Sequence, residues 1–155
     1  YAKALKSLVE TTGLKVRCFE HREERQVWFM FREESLYRQL MDPDNRAFMK
    51  QFGYTEDMTM DEMLVYAAKR FREYKAGKAD FPHEMGIFLG YPLGDVKGFI
   101  EHHGRNCLCS GYWKVYENEE KACETFRLYA RVKQIAMDMV RQGMGFGMAE
   151  QYQFV

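Results

Sequence analysis

The chain contains no run of eighteen apolar residues, so the sequence offers no candidate for a membrane-spanning helix. It also lacks a charge surplus: Lys plus Arg and Asp plus Glu number 23 each. That balance argues against a dedicated nucleic-acid binder, which carries a basic excess. The local cluster Lys69, Arg70, Arg72 and Lys75 alternates with acids and reads as a solvated helix face. Neither phosphate-cradling glycine string, of the P-loop or the dinucleotide type, occurs. The start, YAKALKSLVETTG, reads as an amphipathic helix rather than a signal peptide. Because residue 1 is Tyr1, a trimmed or partial N-terminus is expected. Without a secretion signal, Cys18, Cys107, Cys109 and Cys123 are expected to be free thiols in a cytoplasmic protein.

What the sequence has in quantity is aromatic and sulfur-containing side chains: 12 Phe, 10 Tyr, 2 Trp and 11 Met in 155 residues. The length predicts a single domain, able to bury roughly 70% of its unfolded surface without staples. Large rings supply much buried area per residue. Methionine suits a loosely fitted core or an adaptable contact surface.

Periodicity predicts the elements. Leu5, Leu8 and Val9 lie at helical spacing in Ala2 to Thr12, with Gly13 as a stop. Leu14 to Glu20 alternates Leu, Val and Cys against Lys, Arg and Phe, as a strand does. A charged turn, Arg22 to Arg25, leads to a second strand, Gln26 to Phe31, and the pair reads as an antiparallel hairpin. Glu33 to Met41 is a helix, interrupted at Asp42-Pro43-Asp44. A short helix from Asn45 to Phe52 closes at Gly53. Thr59 and Glu62 form a capping box for a helix reaching Lys75, with Met63, Leu64, Ala67, Ala68 and Phe71 inward. Phe81 to Tyr91 is irregular or partly helical. Pro92 opens a helix striped by Leu93, Val96, Phe99 and Ile100 and ended by Gly104. Gly111 to Tyr116 reads as a third strand. Asn118 caps a last long helix with Ala122, Phe126, Tyr129 and Val132 on one side. The expected class is α+β: a small, mostly antiparallel sheet of about three strands covered by five to six helices.

Two segments stand out, FPHEMGIFLGYPLGDVKGFI from Phe81 to Ile100 and SGYWKVY from Ser110 to Tyr116. In this order they resemble a bacterial family of conserved domains of unknown function, and the resemblance covers most of the chain. The family's characteristic residues fall on His83, Glu84, Gly86, Leu89, Gly90, Tyr91, Pro92, Asp95, Val96, Gly98 and Phe99, then on Gly111, Trp113, Lys114, Val115 and Tyr116. Gly94 departs from the pattern, where a larger or acidic residue is usual. The resemblance implies positions, not a reaction.

The residues themselves suggest several chemistries. His83 beside Glu84 could supply a general base with an orienting carboxylate, or a metal ligand; the competing and favoured reading is a backbone-bonded imidazole and a helix-capping acid. A zinc-protease motif fails, because Ile87 stands where its second histidine belongs. Gly86, Gly90, Gly94 and Gly98 recur every four residues, but Pro92 breaks any shared helix, so the period reads as coincidence. His102, His103, Cys107 and Cys109 could ligate a transition metal, or lie in a solvated loop with reduced thiols. Cys109 is also a candidate nucleophile if it approaches His83. On a strand, Tyr112, Lys114 and Tyr116 share one face, opposite Trp113 and Val115. With Tyr91 that face could stack a planar ligand or hold an acidic group, or it could simply cover a sheet edge.

The functional expectation is a small-molecule or cofactor-binding domain that could be an enzyme, with the identity of any cofactor unknown. Its pocket lies between the Phe81–Pro92 segment and the Tyr112–Tyr116 strand. His83 and Glu84, or Cys109, are the catalytic candidates, and Tyr91, Tyr112, Lys114 and Tyr116 the ligand contacts. The expectation includes no nucleic-acid or membrane partner and allows a homo-oligomer. The alternative is an interaction or regulatory domain using Met137, Met139, Met144, Phe146 and Met148. A weaker one is thiol or metal handling through Cys107, Cys109 and the His pair.

Overall fold

A computed structural model describes residues 9–22 and 25–143. The fold is α+β. Residues 9–12 are helical and Gly13 follows with a left-handed φ of 64°. Strands Lys15–Arg22 (β1) and Arg25–Phe31 (β2) pair antiparallel, Lys15 opposite Phe31 and Arg22 opposite Arg25. Between Cys18 and Glu20 the register slips. This bulge breaks the period of two. Phe19, expected outward with Lys and Arg, turns inward and is buried beside Glu20.

Helix Glu33–Met41 (α1) follows, and then Pro43–Met49 (α2). Asp42-Pro43 begins α2 rather than merely interrupting the chain: Asp42 accepts from the backbone N–H groups of Asp44 and Asn45, both at 3.0 Å. Pro43 takes the first helical position, where its missing N–H costs nothing. A 3-10 turn, Lys50–Phe52, closes at Gly53, whose φ is 92°. Helix Met60–Lys75 (α3) starts at the expected capping box, with Thr59 and Glu62 bonded reciprocally.

The interior forms where these elements meet. Leu36 and Leu40 from α1, Met49 from α2, and Met63, Leu64, Ala67 and Ala68 from α3 are all buried. Each fully buried Leu or Met contributes about 1.5–3 kcal/mol over an exposed one. Phe19 packs tilted against Phe29, with ring centroids 5.3 Å apart, and ties the hairpin to this core. Arg72 on α3 donates to the Phe19 carbonyl at 2.9 Å, giving the bulge a backbone partner. The short helix Met85–Phe88 (α4) is buried at all four positions.

Helix Leu93–Glu101 (α5) leads to strands Cys109–Ser110 (β3) and Lys114–Val115 (β4), then to the long helix Glu119–Arg141 (α6). The expected third strand is instead a turn and the short arm β4. β3 and β4 form a second two-stranded antiparallel ribbon, separate from β1–β2. Ser110 pairs with Lys114, leaving Gly111, Tyr112 and Trp113 as the turn. No helix among the described residues is long and apolar enough to cross a membrane.

Candidate functional site

Two elements separated in sequence are brought face to face by one buried carboxylate. After α4 the chain reverses at Gly90, whose φ is 78°. The N–H of Tyr91 reaches back to the Gly86 carbonyl at 2.9 Å. Pro92 then sets the entry to α5, which carries Asp95 in its first turn. Asp95 is buried and accepts three hydrogen bonds. Its Oδ1 takes the N–H of Tyr116 at 2.7 Å and of Glu117 at 3.1 Å. Its Oδ2 takes the Trp113 indole N–H at 2.7 Å. Charge-assisted bonds of this kind are worth about 1.5–3 kcal/mol each.

Glycine allows the closeness that this clamp needs. A Cβ on Gly98 would stand 2.5 Å from the Cβ of Tyr116. On Gly111 it would stand 2.4 Å from the Phe126 ring. Both positions are close-contact points between elements, and Gly86 faces Val96 in the same way. Of the four regularly spaced glycines, Gly86, Gly94 and Gly98 mark close approaches, whereas Gly90 is a left-handed turn with open space around it.

The clamp leaves a cleft of about 390 Å³ between the segment from Phe81 to Tyr91, α5, and the β3–β4 turn. Tyr91 and Trp113 stack with centroids 5.1 Å apart and planes inclined by 27°. Trp113 meets Phe126 of α6 edge-on at 4.6 Å. The His83 ring lies between Phe81 and Phe99, 5.3 Å from each. Among the described residues nothing hydrogen-bonds the imidazole of His83, whose ring also lines the cleft. Lys114 also lines it; its ammonium donates to the Gly104 carbonyl at 2.5 Å and stands 5.9 Å from the centre of Phe99. Lysine has three donors, so two remain. Burial, with a smaller contribution from Tyr129, raises the phenol of Tyr91 above its ordinary range. The lining is mainly apolar and aromatic, with the polar groups of His83 and Lys114 set into it.

The structure thus gathers His83, Tyr91, Tyr112 and Lys114 around one opening, and leaves three other candidates outside it. Glu84 points into the core. It is fully buried, paired with Arg70, whose Nη2 lies 3.4 Å from Oε2, and approached by the Tyr54 hydroxyl at 3.4 Å. It does not orient His83, because its oxygens are committed to Arg70 and Tyr54. Tyr116 faces away from the cleft, stacked on His102 at 5.6 Å. The alternation expected of a strand fails because Tyr112 and Trp113 belong to a turn. Cys109 is directed toward α6, with its Sγ 3.9 Å from that of Cys123. Burial first, then Cys123 and Glu119, push the Cys109 thiol up to about 11, the reverse of nucleophile activation.

The set His102, His103, Cys107 and Cys109 does not assemble either. Among the described residues the His/Cys/Asp/Glu group close enough to share an ion is Cys109, Glu119 and Cys123. On α6, Met137 is exposed but Met139 is buried, while Met144, Phe146 and Met148 lie outside the described residues. Asp95 and Phe99 line the cleft though they were not expected to, and Phe126 backs it through Trp113. Asp95 and Trp113 both sit in the singled-out segments, but only their pairing across 18 positions explains why.

The profile of one family, described as "Protein of unknown function (DUF3793)", matches residues 1–147. No curated protein and no solved structure matches the chain.

Proposed function

The chain belongs to that family of unknown function, and we propose that it binds a small, planar, largely apolar molecule carrying an anionic group. The observation that carries this reading is the aromatic cleft whose wall holds an imidazole without a hydrogen-bond partner among the described residues and a partly engaged ammonium. Its volume lies within the range of ordinary small-molecule sites, about 300–1,000 Å³. Tyr91, Trp113 and Phe99 supply ring faces. Lys114 and His83 supply the groups that an anion would meet. The buried position of Glu84 favours binding over acid–base chemistry, because among the described residues His83 has no carboxylate partner. The same reading keeps the protein in the cytoplasm as a single domain, where its four unbridged thiols would stay reduced.

Native mass spectrometry of the full chain, purified from its own host, tests the proposal. A retained adduct is expected, lost in Trp113→Ala and weakened roughly tenfold or more in Lys114→Met, one charged hydrogen bond's worth. An adduct indifferent to both variants, or no adduct and no thermal shift with a panel of planar carboxylic acids, would overturn it.

A second reading is favoured by one feature. Helix α6 leaves Leu128, Tyr129, Met137 and Val140 exposed along its length. We infer from this an interaction surface, which light scattering after size exclusion would test by showing a dimer that Leu128→Glu dissociates.

A further inference from the structure

Outside the cleft, and among the described residues, a gathering of metal-ligating side chains joins the β3–β4 ribbon to the start of α6. Glu119 and Cys123 are four residues apart on α6 and so share a face. Cys109 of β3 meets that face. The Cys109 sulfur, the Cys123 sulfur and a Glu119 oxygen all lie within 4.8 Å of one another. The sulfurs are 3.9 Å apart. That spacing is informative. Two thiolates at about 2.3 Å from one tetrahedral zinc stand about 3.8 Å apart, whereas a disulfide needs about 2.0 Å. Glu119 is exposed and both cysteines are half-buried, so an ion has a path in from solvent.

We propose that Cys109, Cys123 and Glu119 form a site for a zinc-type divalent cation, with the fourth position held by water. Soft sulfur ligands select such an ion over magnesium or calcium. On binding, each thiol passes its proton to solvent as its sulfur takes the metal. The set differs from the one suggested by the sequence, since it excludes both histidines and leaves Cys107 outside. Its effect would be mechanical. Cys109 directly precedes Ser110 and Gly111, which line the cleft, and Cys123 lies one turn before Phe126, which supports Trp113. The ion would pin two walls of the cleft together.

The test is a cobalt(II) titration of the reduced, metal-stripped full chain, followed by zinc competition. One equivalent should give the thiolate-to-cobalt charge-transfer band and the visible bands of tetrahedral cobalt, both abolished by zinc. Cys123→Ser and Cys109→Ser should each weaken binding by ~100-fold or more, since even outer-shell losses reach 10–100-fold. Glu119→Gln should weaken it by about tenfold, and Cys107→Ser should leave it unchanged. Circular dichroism confirms that each variant is folded. Absence of the charge-transfer band, its persistence in the Cys109→Ser/Cys123→Ser double variant, or its loss in Cys107→Ser alone would overturn the proposal. So would a reduced chain that binds no metal yet oxidises readily to a Cys109–Cys123 disulfide.

Discussion

Around α3, the rings of Phe19, Tyr54 and Phe88 are at most 4% exposed, whereas at the β3–β4 turn and the facing turn of α6, Tyr112 and Tyr129 remain 47% and 44% exposed. Each region also holds a buried carboxylate, satisfied in a different way. Glu84 is neutralised by the Arg70 guanidinium. Asp95 has no cation at ion-pair distance among the described residues and is held by three N–H dipoles. The contrast separates two jobs. In the first region a fully buried charge is held by a guanidinium that is itself a quarter exposed, so loss of that partner should destabilise the fold. In the second a carboxylate at the edge of an opening organises a frame, and water can reach part of what it organises.

The sharpest way to break this contrast is Arg70→Met, which strands Glu84 without its cation. The expected loss is roughly 3–5 kcal/mol, the usual cost of halving a buried pair. Urea denaturation measures it, and Arg70→Met/Glu84→Met should recover most of the loss, since apolar replacement of a whole pair is often neutral. A single-variant cost below about 1 kcal/mol would show that Glu84 does not depend on Arg70.

Asp95→Ala should cost less, about 3 kcal/mol, because solvent can partly replace the lost acceptor. Its particular signature is at the turn. Trp113 loses its acceptor, so its fluorescence should shift to the red while the far-ultraviolet spectrum stays near native. Loss of all structure in this variant would mean that the frame and the core fold as one unit.

Tyr54→Phe sharpens the comparison at the smallest scale. It removes a long hydrogen bond to Glu84 and should cost about 1 kcal/mol at neutral pH. Burial first, then the charge of Glu84, push the Tyr54 phenol well above its ordinary range. The folded state therefore keeps a proton that the unfolded chain releases near pH 10. The stabilisation is complete below that pH and falls by about 1.4 kcal/mol per unit above it. Stability curves of the two proteins should converge in alkali, and parallel curves would place the phenol in water.

Much of the first region could be read from local pattern. The Thr59–Glu62 box, the Met63–Ala68 stripe and the Glu33–Met41 helix are local signals, and each lies where expected. The misreadings have local causes too. A bulge turned Phe19 inward, and Asp42 made Pro43 a helix start. The second region was legible as a place but not as a shape. The run Gly111-Tyr112-Trp113 has strand-like composition, yet β propensity reports fit to a packed surface, not extension. Its turn is closed by Asp95, and no periodicity within one element encodes a contact between two. Glu84 shows the same limit: its neighbour in sequence is His83, but its partner in space is Arg70.

The three-residue turn at Gly111, Tyr112 and Trp113 has a consequence for how such a protein can change over generations. Its side chains help to wall the opening but contribute little to the interior around α3. Mutation of Tyr112, the turn residue that carries neither the bond to Asp95 nor the close approach to Phe126, can alter what the molecule accepts without unsettling its scaffold. Relatives that keep this anchor and vary the tip would be expected to share a shape while differing in what they hold.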